Sequence, residues 1–146
     1  MLEQIEIDLK TALLAGDSLK VEVLKRLKNS LNNLKIEQKH AFSDNQAVRV
    51  VQREIKKCIE AAEIYSSADA SERAQKERNE ALILETYLPR QLSEEELETI
   101  IDKIVSENGA SSPQEMGKVM GLANKEIGAR ASGATIAKIV KQKLGV

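Results

Sequence analysis

Aromatic side chains are nearly missing from this chain of 146 residues: Phe42, Tyr65 and Tyr87 are the whole set, with no tryptophan. The core must therefore be aliphatic, assembled from Leu, Ile, Val, Ala and Met. None of the three aromatics lies beyond Tyr87, so the C-terminal part has no ring on which to stack a nucleobase. Cysteine occurs once, as Cys58. An intrachain disulfide is thereby excluded, and a reducing compartment, the cytoplasm, is expected. Two absences concern targeting. The acidic opening, Met1–Glu6, carries no long apolar run, so a secretory leader is not expected. No stretch approaches the roughly 18 apolar residues a membrane-spanning helix needs, so no membrane association is expected. Charge of one sign is also missing: 22 basic residues offset 23 acidic ones, for a net −1.

Helix formers fill the space these absences leave. Leu, Ala, Glu, Lys and Gln dominate, and strand signals such as an Asn-Gly hairpin turn or sustained β-branched alternation do not occur. Apolar residues instead recur at steps of three and four. A first stripe runs Leu2, Ile5, Leu9, Ala12, Leu13 and stops at Gly16, with Asp17 or Ser18 to cap the next helix. A second runs Val21, Leu24, Leu27, Leu31, Leu34 as far as Lys39. Ser43 with Gln46 opens a third as a capping box; it buries Val48, Val51, Ile55, Cys58, Ile59 and Ala62. Asp69 with Glu72 opens a fourth, carrying Ala74, Ala81, Leu84 and Leu88, which Pro89 ends. After Pro89–Leu92 come three shorter helices. Ser93 and Glu96 box the fifth, with Leu92 stapling onto Leu97; it buries Leu97, Ile100, Ile101, Ile104 and Val105 and stops at Asn108-Gly109. Ser112, Pro113 and Glu115 start the sixth, which carries Met116, Val119, Met120, Ala123 and Ile127 and closes at Gly128. Ser132 caps the last, with Ile136, Ile139, Val140 and Leu144. The expectation is an all-α chain. An N-terminal bundle of about four helices, the long ones antiparallel, spans 1–90. A small three-helix domain spans 91–146, near the lower size limit for an independent core.

No catalytic constellation is legible. His40, the single histidine, follows a helix end with no converging partner and reads as a surface residue. Cys58 lies on an apolar stripe and reads as a small hydrophobe. Glu94, Glu95 and Glu96 resemble a carboxylate cluster. Acids in a first helical turn complement the helix dipole, however, and Glu96 already serves as a cap. No phosphate-binding loop, dinucleotide fingerprint or serine elbow occurs. No catalytic residue, metal ligand or cofactor is assigned.

The C-terminal part is different. From Ser112 onward, Lys118, Lys125, Arg130, Lys138, Lys141 and Lys143 face only Glu115 and Glu126, an excess of about +4 that suits an anionic partner or a solvated face. Gly117 and Gly121 stand four apart inside a predicted helix, where each costs about 1 kcal/mol relative to alanine. Either another helix packs tightly there, or a partner or nucleic acid approaches the backbone. Gly128 and Gly133 bracket Arg130 ahead of a helix N-terminus, where backbone donors favour an anion. That segment reads either as a capped loop or as a phosphate contact.

Three motifs in order, Tyr87–Leu97, Met116–Gly121 and Gly128–Ile136, resemble the YqeY-like proteins of the GatB/YqeY group. The likeness extends over the whole chain. The resemblance implies kinship with the tail of the B subunit of the tRNA-dependent glutamine amidotransferase, a helical appendage that helps hold tRNA while amide transfer occurs in larger domains. Similar domains are fused to a glutaminyl-tRNA synthetase in some bacteria. Gly117, Lys118, Met120 and Gly121 match the family's first glycine motif, and Gly128, Arg130 and Ala131 its second. Ser132-Gly133 departs from the acidic or amide residue and proline common in the amidotransferase tails. The expectation is a non-catalytic tRNA-binding module. Its nucleic-acid-binding residues would be Lys118, Lys125, Gly128, Arg130, Lys138 and Lys141, with Gly117 and Gly121 as points of close approach. One alternative is a protein–protein adaptor docking on an aminoacyl-tRNA synthetase or amidotransferase. A second, suggested by the group's labels, is a carbon–nitrogen ligase with glutamine as amido donor.

Overall fold

A computed structural model describes residues 1–145. Among them are seven α-helices and no strand: α1 (Leu2–Ala15), α2 (Ser18–Gln38), α3 (Asp44–Ser67), α4 (Ser71–Glu85), α5 (Glu94–Glu107), α6 (Met116–Ile127) and α7 (Gly133–Lys143). Single 3-10 turns, Pro113–Glu115 and Gly128–Arg130, precede and follow α6. The chain divides into two compact units, Met1–Leu88 and Pro89–Val146.

In the first unit, α1 packs on α2, α2 on α3 and α4, and α3 most extensively on α4. Arg78 of α4 reaches back to Ser66 near the end of α3, while Glu80 lies beside Cys58 deeper in it. The two helices therefore run antiparallel. The core joins Ile5 of α1 to Leu24, Leu27 and Leu31 of α2, Val51 and Ile55 of α3 and Leu84 of α4. Ser43 and Gln46 form the expected capping box, with Ser43 N–H donating to Gln46 Oε1 at 2.9 Å and Gln46 N–H to Ser43 Oγ at 3.2 Å. Such a cap contributes about 1 kcal/mol. Asp17, rather than Ser18, caps α2 by accepting from the Lys20 amide.

Several sequence expectations fail here. Asp69 does not open α4. It sits at φ +57° and closes α3, because the Ala70 amide donates five residues back to the Tyr65 carbonyl. This is the same left-handed closure that Gly16 makes after α1. An aspartate tolerates that conformation better than most side chains. Helix α4 then begins without a side-chain cap. It ends at Glu85, ahead of Pro89, where i→i−3 bonds tighten the turn through Thr86, Tyr87 and Leu88. That turn delivers the Tyr87 hydroxyl to Asp8 of α1, donating at 2.5 Å. Two stripe positions are also misplaced. Leu13 and Ile59 are half-exposed, and Glu54 occupies buried space on α3 instead.

In the second unit α5, α6 and α7 pack pairwise around Leu97, Ile101, Ile104, Val119, Ala123, Ile127, Ile136 and Ile139. The Ser93–Glu96 box is formed, with both bonds at 3.2 Å. Gly109 at φ +60° ends α5, and the Ala110 amide donates to the Val105 carbonyl. Ser112 and Glu115 also form a capping box, but it opens the 3-10 turn ahead of α6 rather than α6 itself. No described helix is long and apolar enough to cross a membrane.

Candidate nucleic-acid interface

Burial of Val119, Ala123 and Ile127 fixes the rotation of α6. The opposite side carries Gly117, Lys118, Gly121, Leu122 and Lys125, all exposed. Lys118, Leu122 and Lys125 are spaced four and three, so they share one stripe, and Gly117 and Gly121 lie one residue round from Lys118 and Leu122. A Cβ added at either glycine would meet nothing within 4 Å. Tight packing by α5 or α7 therefore does not account for this pair. Among the described residues of the second unit, no helix packs against these glycines, and their backbone faces open space.

On α7, burial of Ile136, Ile139 and Val140 turns Lys138 and Lys141 outward. Lys143 is tied to Asp102 of α5 at 3.1 Å. Among the described residues, no carboxylate lies within 4.0 Å of Lys118, Lys125, Lys138 or Lys141. Glu115 is the acid nearest in sequence to Lys118, and it is engaged elsewhere. It accepts from the Ser111 and Ser112 amides at 2.7 and 3.1 Å, which hold its carboxyl below the usual range.

Arg130 and Gly128 take structural parts. The Arg130 guanidinium folds back on α6, donating from Nη2 to the Glu126 carbonyl at 2.8 Å and from Nε to the Ile127 carbonyl at 3.2 Å. A cation on the last carbonyls of a helix complements its dipole. Gly128 sits at φ +58°, where α6 stops. The 3-10 turn is held from the other side as well. The Leu92 amide donates to the Arg130 carbonyl at 2.8 Å and the Gln91 side chain to the Ala129 carbonyl at 2.9 Å. Ser132 caps α7, accepting from the Thr135 amide at 3.2 Å.

Sequence reasoning missed a second polar group, inside the first unit. Glu54 and Glu80 are only 5% and 2% exposed. Arg26 of α2 lies between them, with Nε 3.7 Å from Glu54 and Nη2 3.7 Å from Glu80. Ser30 and Lys57 complete the surroundings of Glu54 at 3.2 and 3.3 Å. Cys58 Sγ lies 3.7 Å from Arg26 Nη2 and 3.9 Å from Glu80. Burial pushes the Cys58 thiol up to about 11, so it is a poor nucleophile at neutral pH. Burial, reinforced by a hydrogen bond to Glu77, also raises the Glu80 carboxyl above the glutamate range. Cys58, Glu77 and Glu80 bring ligand-type atoms within 4.8 Å of one another. The Arg26 guanidinium already supplies positive charge at that place. The legible signal was a charged residue on an apolar stripe: Glu54 falls between Val51 and Cys58 at helical spacing.

The family model described as Yqey-like protein matches residues 2–144. The chain belongs to this family. No curated protein matches it. The match runs through both units of this YqeY-like chain, so the exposed α6 face and the buried Arg26 group both lie within the family's span.

Proposed function

We propose that this YqeY-like protein is an accessory module that holds tRNA through the exposed faces of α6 and α7. The observation that carries the reading is the pair Gly117, in the first turn of α6, and Gly121, in its middle. Both are open to solvent and flanked by Lys118 and Lys125, which have no ion-pair partner among the described residues. Glycines in an exposed helix weaken it, and nothing within the unit repays that cost. A sugar–phosphate backbone lying against bare helix backbone, with ammonium groups on either side, supplies a reason for both features. Lys138 and Lys141 extend the set of unpaired charges onto α7. Phosphate contacts position an RNA without reading its sequence. With no aromatic residue in this unit, recognition is of shape and charge. The reading places the module in the cytoplasm, where its one thiol stays reduced.

Affinity should then depend steeply on salt. Four lysine–phosphate contacts at a slope of about −0.9 each predict a loss of roughly 150-fold between 50 and 200 mM salt. Titration of labelled tRNA at both concentrations tests this. Lys118→Glu with Lys125→Glu should remove most of the binding while leaving helicity unchanged. The absence of binding at 50 mM salt would defeat the proposal. One observation favours a second reading, docking of a synthetase or amidotransferase on this face: Leu122 is 37% exposed between the two lysines. A protein partner would use that side chain and an RNA would not, so Leu122→Ser separates the two.

A further inference from the structure

Helix α1 is apolar on two sides but has a partner on one. Ile5 and Ala12 face the core, and α1 packs on α2. Its outer face nevertheless presents Ile7 at 58% and Leu14 at 91% exposure. Glu3, Ile7, Lys10 and Leu14 succeed one another at steps of four, three and four, which is the spacing of a single helix–helix seam. Glu3 and Lys10 are exposed, and neither has an ion-pair partner among the described residues. They have opposite charge and stand almost symmetrically about Ile7.

We propose that two copies of this chain pair antiparallel through the outer faces of α1, with the two-fold axis passing beside Ile7. A two-fold contact must be complementary to itself, and this stripe is. Reversing one copy sets each Ile7 against its counterpart and each Glu3 opposite Lys10 of the other copy. Leu14 then extends past the other copy's first turn. The seam is short: a 14-residue helix is about 21 Å long. It offers much less than the roughly 800 Å² per partner of a standard stable interface. The dimer is therefore weak, with a dissociation constant on the order of 10⁻⁴ M. This pairing is independent of the tRNA reading, which concerns the other unit.

Sedimentation equilibrium of the full chain from about 10 µM to 1 mM provides the test. The expected result is a concentration-dependent shift from monomer to dimer. Lys10→Glu places like charges at both symmetric positions and should weaken the dimer roughly five- to thirty-fold. Glu3→Lys combined with Lys10→Glu exchanges the charges and should restore the original affinity within about twofold. Ile7→Glu should abolish pairing. All these positions are exposed, and circular dichroism verifies that each variant keeps its helices. A chain monomeric at 1 mM overturns the proposal. So does a dimer indifferent to Lys10→Glu, or one that the double exchange fails to restore.

Discussion

Gly121→Ala is the most informative single substitution, because folding and binding should respond in opposite directions. Gly121 lies in the middle of α6 with ordinary helical backbone, and an added methyl meets nothing within 4 Å. The change therefore carries neither a steric cost nor a burial gain. What remains is the difference in conformational freedom between glycine and alanine, worth about 0.5–1 kcal/mol in favour of the folded helix. Gly117, in the first turn of α6, should give less. Tyr65 and Tyr87 both belong to the first unit, so tyrosine fluorescence does not report this transition. Amide hydrogen exchange does, and α6 amides that open with the whole unit should slow about two- to fivefold. If RNA lies against this backbone, the same methyl holds it off and tRNA affinity should fall. Two results would refute the reasoning. Faster exchange would mean that α6 is not open at Gly121. Slower exchange with unchanged tRNA affinity would mean that the glycines are not the point of approach.

Other perturbations probe the first unit. Arg26→Leu leaves two buried carboxylates without their shared cation. It should destabilise that unit by about 3 kcal/mol in urea unfolding monitored by tyrosine fluorescence; a loss below about 1 kcal/mol would show that Glu54 and Glu80 are satisfied without it. The raised Glu80 carboxyl has a definite sign. The folded chain keeps this proton at a pH where the unfolded chain has lost it, so the stability it contributes is present below the ordinary glutamate range and lost as pH rises through the folded value. Glu80→Gln should flatten that decline, and a variant whose stability runs parallel to the parent's across pH would remove Glu80 as its source. With its thiol at about 11, Cys58 should react with a thiol reagent at pH 8 at least about tenfold more slowly in the native chain than in urea. Tyr87→Phe deletes the hydroxyl bonded to Asp8 and should cost about 1.5–3 kcal/mol. A negligible loss would mean that this hydrogen bond does not help to hold α1.

Much of this fold was legible in the linear chain, because helices are specified locally. The boxes at Ser43 and Ser93, the stops at Gly16 and Gly109 and the absence of strands are all set by neighbours within four or five residues. The candidate interface was legible only in part. The exposed lysines and the glycine pair on α6 could be named from sequence, yet whether another helix covered those glycines depended on how α5 and α7 pack. Arg130 shows the same limit: beside two glycines it resembles an anion contact, and only the fold reveals that its donors serve the carbonyls of α6.

By itself, then, the sequence determined the helical class, most helix ends and the family. It did so because backbone capping and apolar periodicity are short-range properties. Tertiary structure alone decided that Glu54 and Glu80 are buried while Leu13 and Ile59 are not, and that no neighbouring helix of the second unit covers Gly117 and Gly121. Each of these depends on which residue of a distant helix arrives opposite. Arg26 is 28 residues from Glu54 and 54 from Glu80, and no local pattern announces that they meet.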